Sequence, residues 1–224
     1  MKCMLRISAA VLAVGMIGSA NAADSKVKAP IYKAAPPAAT TWQGFYLGGH
    51  AGYIWSQTDV FDTGVLVESN ARTNGIIGGV LAGYNLQVSN LVLGLEGDFG
   101  WSDAHGTGIT SLITPNTYDI DWTGHLRGRI GVAPGPYPVL LFLAGGAAFS
   151  RFDFKSGETG ESTSTNYTGA SIGGGLDFAA GNQFILRAEW LHDFYNSGLA
   201  RIGDYMAKLK DTDTARAAFI FKFN

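Results

Sequence analysis

The feature that most constrains the fold of this chain is the alternation of side chains in residues 118–132. Successive side chains of a strand point to opposite faces. One face would carry Tyr118, Ile120, Trp122, Gly124, Leu126, Gly128, Ile130 and Val132, and the other would carry Asp119, Asp121, Thr123, His125, Arg127, Arg129 and Gly131. Strands of soluble proteins usually have about 5–6 residues, whereas a tilted membrane-spanning strand needs about 9–11. The alternation therefore predicts a strand with one face toward lipid and a charged face inside a closed barrel.

The same alternation recurs in eight segments from Trp42 onward. The least regular segment is 139–149, because Phe142 falls on its otherwise inward face. Short turns at 88–90, 134–138 and 180–183 alternate with longer, mostly polar connections at 57–73, 103–116, 155–166 and 195–211. Short and long connections at opposite ends are typical of outer-membrane barrels. The sequence thus predicts an all-β fold, an eight-stranded antiparallel up-and-down transmembrane β-barrel.

The chain divides into three predicted parts. Lys2 and Arg6 precede a short apolar run from Ile7 to Ile17, and Ala20-Asn21-Ala22 follows it; this order predicts a secretory signal peptide over residues 1–22. Residues 23–41 are rich in alanine and proline and predict a flexible periplasmic leader. The barrel is predicted over residues 42–224. The only cysteine, Cys3, lies in the signal peptide, so the mature chain is expected to form no disulfide.

The charge balance bears on the partners of this chain. There are 16 basic and 18 acidic residues in total, and the signal peptide contains two of the basic ones, Lys2 and Arg6. The mature chain therefore carries 14 basic and 18 acidic residues, a formal net charge of −4. Without a basic excess, no nucleic-acid partner is expected.

Charged side chains are predicted to fill the lumen. The acidic set is Glu96, Asp98, Asp119, Asp121, Asp177 and Glu189, and the basic set is Arg127, Arg129, Arg187, Arg216 and Lys222. An eight-stranded barrel has an interior just wide enough for its own side chains. Because removal of one partner of a buried ion pair costs about 3–5 kcal/mol, these charges must pair. We expect a salt-bridge plug, with a proton or ion path through the same groups as the alternative.

Catalysis and cofactor binding find little support in the sequence. A nucleophile would need an ordered base, such as His50, His105, His125 or His192. No zinc-protease H-E-x-x-H motif, haem-attachment C-x-x-C-H motif or clustered metal-ligand spacing is present. The sequence predicts no enzyme, no cofactor and no metal.

The ordered set of local motifs resembles a known family. The motifs lie at 42–53 (WQGFYLGGHAGY), 78–87 (GGVLAGYNLQ), 95–99 (LEGDF), 126–131 (LRGRIG), 144–149 (AGGAAF), 173–178 (GGGLDF) and 187–191 (RAEWL). This set, which spans residues 42–224, is similar to the alphaproteobacterial small outer-membrane β-barrel family, which includes RopB and major surface antigens of Brucella and rhizobia. The chain departs from the family pattern at His192, where an aromatic residue is expected, and at Asn224, which follows Phe223 at the end of the last strand.

The resemblance implies a location and a set of partners. It implies a cell outer-membrane protein in contact with membrane lipids and lipopolysaccharide, and assembly by the barrel-assembly machinery through the C-terminal strand. The expected function is a non-catalytic role in envelope integrity and surface interaction. A narrow porin-like channel and a haem-binding surface receptor stay open as alternatives, the second because some relatives bind haemin.

Overall fold

The computed structural model describes residues 41–62, 65–109, 115–135, 137–155, 160–197, 200–202 and 205–223. The predicted signal peptide (1–22) and all of the predicted leader except Thr41 lie outside the described residues, so both stay predictions. No helix in the described part of the chain is long and apolar enough to cross a membrane.

The described residues form one closed antiparallel sheet. Its strands are β1 (Gly44–Asp62), β2 (Val65–Val88), β3 (Leu91–Ile109), β4 (Pro115–Val132), β5 (Val139–Lys155), β6 (Ser162–Ala180), β7 (Phe184–Ser197), β8 (Ala200–Ile202) and β9 (Tyr205–Lys222). Strands β1 to β7 and β9 pair in chain order, and β9 returns to pair with β1. The three-residue β8 pairs with β9 beyond the end of β7. The eight-stranded barrel predicted from the sequence is confirmed.

The strands are longer than the sequence indicated. The eight barrel strands have 14 to 24 residues, compared with the about 9–11 that cross a membrane. Strand pairing continues through most of the segments that were expected to be loops; for example, β1 ends at Asp62 and β2 already begins at Val65. The prediction of long loops was therefore wrong, because alternation is invisible in sequence where both strand faces are polar. We call the end with the three short turns the turn end, and the opposite end the hairpin end.

The outward face is an apolar band, as the alternation predicted. Leu95, Leu126 and Leu143 are each more than 60% exposed although they lie in the middle of strands. Aromatic side chains border this band at both of its edges, one near the hairpin end and one near the turn end. Near the hairpin end, Phe99 contacts Trp101 and Trp122, with ring centroids 4.9 and 5.4 Å away. Near the turn end, the aromatic side chains include Phe45, Tyr84, Phe184 and Phe219.

Strand β4 changes face at Asp121, which contradicts the predicted alternation. Asp121 has no partner residue on either neighbouring strand, and the register shifts there against both β3 and β5. Such a bulge adds one residue, so side chains beyond it switch to the other face. Tyr118 and Ile120 are consequently buried in the lumen, whereas Asp119 lies outside it.

Apolar side chains close both ends of the lumen. The expectation of a lumen that is polar throughout was therefore wrong. The cluster at the turn end consists of Trp42, Tyr46, Leu81, Val92, Ala133, Leu140, Ala179, Ile185, Ala218 and Ile220. The cluster at the hairpin end consists of Ile54, Ile77, Ala104, Tyr118, Ile120, Ala148, Phe152, Phe154, Tyr167 and Tyr195. The buried charges other than Lys222 lie between these two apolar layers.

Candidate functional site: the lumen network

Ten charged side chains form one connected group between the two apolar layers, which we call the lumen network. Eight of them were predicted from the sequence: Glu96, Asp98, Arg127, Arg129, Asp177, Arg187, Glu189 and Arg216. The other two, His125 and Asp193, were missed. Each member comes from an inward position of β3, β4, β6, β7 or β9, and the network therefore ties together strands that are not adjacent in the sheet.

The part of the network nearer the turn end is organised around Asp177 and Glu96. Asp177 accepts hydrogen bonds from Arg129 Nη2 and Arg187 Nε, both at 2.7 Å. Glu96 Oε2 accepts from Arg187 and from the Tyr46 hydroxyl, the latter at 2.7 Å. Charge-assisted bonds of this kind are about twice as strong as neutral ones. All of these side chains are buried, so each charge depends on its protein partners for solvation.

Phe142, which broke the predicted polarity of β5, has a specific place in this part of the network. Its ring lies 4.1 Å from the Arg129 guanidinium carbon and 4.8 Å from that of Arg187. A guanidinium over an aromatic face is attracted by the ring quadrupole, most strongly where water is excluded. Phe142 thus contacts both guanidiniums and stabilises both charges.

The part of the network nearer the hairpin end is organised around Asp98 and Glu189. Arg216 binds Asp98 through two parallel bonds of 3.0 Å, and its Nε donates to Glu189 at 2.9 Å. Arg127 joins the two parts, because it donates to Glu96 at 2.7 Å, to Glu189 at 2.8 Å and to Asp98 at 3.1 Å. Bidentate geometry fixes both position and orientation of a guanidinium.

His125 supplies the fifth positive charge of the network. Its Nδ1 lies 2.8 Å from Asp98, and its Nε2 lies 3.1 Å from Asp193. A carboxylate can only accept, so both ring nitrogens must donate, which makes the ring an imidazolium. The network then holds five carboxylates, four guanidiniums and one imidazolium, and its formal charge is zero.

The sequence contained a signal for Asp193 that was overlooked. Strand β7 was expected to end near residue 194, before the predicted 195–211 connection, but its alternation continues through Leu191, Asp193 and Tyr195, which are all buried. His192 lies on the opposite face between Trp190 and Phe194, with ring centroids 5.8 and 4.4 Å away. It therefore occupies the position in the aromatic border where an aromatic residue was expected.

The expectation that Asp119 and Asp121 belong to the lumen network was wrong, because the bulge in β4 turns both carboxylates away from the lumen. Asp119 lies 2.7 Å from His105 Nδ1, and Asp121 lies 3.5 Å from Arg151 Nε. Both contacts are partly exposed at the hairpin end. Such pairs contribute little to the free energy of unfolding.

Lys222 faces inward, as predicted, but lies apart from the lumen network at the turn end. Its ammonium group donates to the backbone carbonyl of Thr41. The next residue, Trp42, is fully buried, its backbone N–H donates to Gln87 at 2.7 Å, and its carbonyl accepts from Asn85 at 3.2 Å. Thr41 and Trp42 are therefore fixed at the mouth of the barrel by side chains of β2 and β9.

A G-x-S-x-G pattern at 169–173 was also overlooked in the sequence, and the structure gives it no catalytic context. In hydrolases such a serine lies on a sharp turn between a strand and a helix, whereas Ser171 lies within β6 and is buried in the lumen. His125, the histidine of the lumen network, has both nitrogens bonded to carboxylates and therefore has no free nitrogen to accept a serine proton. Within the described residues, no group of three or more His, Cys, Asp or Glu side chains could hold a metal ion.

Comparison with known proteins connects this architecture to a family. The family model described as "Outer membrane protein beta-barrel domain" matches residues 9–217. A 22 kDa outer membrane protein of Rhizobium leguminosarum bv. viciae is 34% identical over 160 residues, which cover 71% of this chain and 67% of that protein. The 31 kDa outer-membrane immunogenic protein of Brucella melitensis is 29% identical, with 98% of this chain and 100% of that protein covered.

Among solved structures, neisserial surface protein A matches 80% of this chain and 97% of its own, at 13% sequence identity and a TM-score of 0.49. The family match covers most of the chain, and the relatives from Rhizobium and Brucella agree with the resemblance noted in the sequence. The chain belongs to the outer membrane protein beta-barrel family, as an alphaproteobacterial member located in the cell outer membrane.

Proposed function

We propose that this protein is a non-conducting, non-catalytic barrel that contributes to envelope integrity and presents a rigid surface for interaction outside the cell. The observation that carries this proposal is the three-layer filling of the lumen. An apolar layer at each end encloses the neutral lumen network. These three layers support a barrel whose interior is filled and has no open channel.

The lumen network supports the proposal because its charged side chains are held in place by partners of opposite charge. Arg127 and Arg216 each bind two or more carboxylates, and every one of these groups is almost completely buried. An ion entering this layer would have to displace one partner of a buried pair, which typically costs about 3–5 kcal/mol. It would also have to cross both apolar layers, where it would lose its hydration without replacement.

The hairpin end supports the surface-interaction part of the proposal. In barrels of this class the short turns are periplasmic and the longer connections face outward. The strands continue past Trp101 and Trp122, and rings such as Tyr118, Phe152 and Tyr167 pack inside that extension. An internal aromatic core holds the extension in one shape, so partners such as lipopolysaccharide would meet a preformed surface.

The conductance of the purified protein in planar bilayers tests the closed lumen. We expect the wild-type barrel to show no stable channel, because the lumen network and both apolar layers must open together. Variant Arg127→Ala is the comparison, since it removes the residue that joins the two parts of the network. A large, stable, ion-selective conductance of the wild type would overturn the proposal and favour the porin.

The detergent and osmotic sensitivity of a deletion strain tests the integrity role. We expect the strain to be sensitised, and we expect the wild-type chain to restore resistance. The matched control replaces residues 156–161 with Asn-Gly, a turn that suits the Lys155–Ser162 pair and leaves the transmembrane part unchanged. If the role resides in the membrane-embedded barrel, this variant restores resistance as well. A deletion strain with unchanged sensitivity would contradict the integrity role.

The haem-receptor alternative gains no specific support from the described residues. His105 has its Nδ1 bonded to Asp119, and His50 and His125 are buried in the lumen. We therefore do not propose haem binding.

A further inference from the structure

Two neighbouring residue pairs on the outer face of the barrel, at the hairpin end, carry polar groups beyond the apolar band. Trp55 pairs with Asn74 and Gln57 pairs with Arg72 across β1 and β2, and all four residues are exposed. Tyr53 lies next to Trp55 on the same face, with the two ring centroids 6.2 Å apart. These five residues are among those that line a surface cavity of about 360 Å³, which we call the Arg72 cavity.

The polar side chains of the Arg72 cavity are free to bind a ligand. In the described part of the chain, the side chains of Gln57, Arg72 and Asn74 have no hydrogen-bond or ion-pair partner. Arg151, which is also exposed at the hairpin end, differs from Arg72 because its Nε lies 3.5 Å from Asp121. A guanidinium offers five N–H donors in a planar fork that matches the oxygens of a phosphate or a carboxylate. Arg72 therefore offers an unoccupied anion-binding group beside two amides and two aromatic rings.

Charge complementarity singles out the Arg72 cavity as the place for an anion. A second cavity, of about 340 Å³, lies on the other side of Trp55 and is lined by His192, Asp211 and Asp213. Its histidine is already paired, because His192 Nδ1 lies 2.8 Å from Asp213. The two carboxylates there repel an anion, whereas no carboxylate of the described residues lines the Arg72 cavity.

The position of the Arg72 cavity indicates that the anion belongs to a lipid. The cavity begins where the apolar band ends, since Tyr53 pairs with Ile76, whose side chain is exposed on the lipid face. Tyrosine and tryptophan rings at such a border lie at the level of lipid headgroups. In barrels of this class the hairpin end faces outward, and for this orientation the inference rests on the proposed function. We propose that the Arg72 cavity binds a phosphorylated sugar in the headgroup of an outer-leaflet glycolipid.

Each side chain of the cavity has a role in binding this headgroup. Arg72 donates to the phosphate, and its planar fork allows two parallel bonds. The amides of Gln57 and Asn74 can both donate to and accept from sugar hydroxyl groups. The exposed indole of Trp55 offers an apolar surface to the carbon skeleton of the sugar. Cavities that hold small ligands have about 300–1,000 Å³, so the Arg72 cavity has room for one phosphorylated sugar ring, and the acyl chains extend along the apolar band.

Native mass spectrometry of the detergent-solubilised barrel tests the site. The probe is diphosphorylated lipid A, a glucosamine disaccharide lipid with a phosphate on each sugar. We expect the wild-type barrel to bind this lipid about tenfold more tightly than dephosphorylated lipid A or phosphatidylglycerol, and we expect Arg72→Ala to lower the affinity for the diphosphorylated form about tenfold. The matched control is Arg151→Ala, which removes the same charge at the same end and should leave the affinity unchanged.

Three results would overturn the inference. Equal losses in Arg72→Ala and Arg151→Ala would show attraction by overall charge, and wild-type binding of phosphatidylglycerol as tight as that of lipid A would show a site for any anionic lipid. Displacement of lipid A by excess inorganic phosphate would show a site for the free anion. The last two are read from the wild-type protein, so they do not depend on how well a variant folds. None of them involves conductance or detergent sensitivity, so failure of this inference is distinguishable from failure of the proposed function.

Discussion

Arg127 is the single residue on which the lumen network most depends. It donates to Glu96 and Asp98 on β3 and to Glu189 on β7. Its replacement by alanine leaves three buried carboxylates without that partner, so we expect Arg127→Ala to lower the free energy of unfolding by about 3–5 kcal/mol. Urea titration of the barrel refolded into lipid vesicles measures this change.

The matched control for Arg127 is Arg151, an arginine that is 44% exposed at the hairpin end. We expect Arg151→Ala to change the free energy of unfolding by less than about 0.5 kcal/mol, because exposed ion pairs contribute little. Adding Glu96→Gln to Arg127→Ala should recover part of the loss, since the network then returns to a formal charge of zero. Equal effects of Arg127→Ala and Arg151→Ala would show that burial of the network is not what stabilises the barrel.

Phe142 allows the contribution of its two guanidinium contacts to be separated from packing. Leucine retains an apolar side chain at this position but removes the aromatic face that Arg129 and Arg187 contact. We expect Phe142→Leu to cost about 2 kcal/mol in the same unfolding assay, in keeping with desolvated cation–π contacts. The control is Phe149→Leu on the lipid side of β5. A cost no greater than that of Phe149→Leu would assign Phe142 to packing alone.

At the scale of the strand, the bulge at Asp121 decides which residues of β4 face outward. We predict that a cysteine at position 119 reacts with a water-soluble maleimide, whereas a cysteine at position 120 does not, because Asp119 is partly exposed and Ile120 is buried. Labelling of intact cells that express Asp119→Cys or Ile120→Cys measures this difference. The chain has no cysteine besides Cys3, which lies in the predicted signal peptide.

If Ile120→Cys reacts and Asp119→Cys does not, the bulge is wrong and the uninterrupted alternation predicted from the sequence is correct. Denatured samples of both variants serve as the control, since both cysteines should then react equally. A result in which neither position is labelled in the folded protein would place residue 119 inside the lumen as well, and would contradict the bulge.

The strands could be predicted from the sequence where one face meets lipid and could not where both faces are polar. Alternation located residues such as Leu95, Glu96, Arg127 and Arg187 on the correct faces, because lipid accepts only apolar side chains. The bulge has no such signal, since one additional residue leaves the local composition unchanged. The sequence also could not predict which charged side chains pair, because Arg127 binds Glu189 on a strand three places away in the sheet.

At the scale of the whole molecule, closure of the sheet predicts resistance to detergent. Strand β9 pairs with β1 from Tyr46↔Lys222 to Asp62↔Tyr205, so the membrane-embedded sheet presents no unpaired edge. We expect unheated protein in sodium dodecyl sulfate to migrate differently from boiled protein on a gel. Protein unfolded in urea beforehand is the control and should migrate like the boiled form. Identical migration of heated and unheated folded protein would contradict the closed sheet.

The attachment of Trp42 has a consequence for how the chain begins its path away from the membrane. Asn85 and Gln87 hold this residue from the second strand, and Lys222 holds the preceding carbonyl from the last strand. Both β2 and β9 must therefore be in place before Thr41 and Trp42 are fixed. Thr41 is thus held at the turn end of the barrel, beside the last strand. A pull on Thr41 would therefore be shared with β2 and β9 through these three side chains, and β1 would not bear it alone.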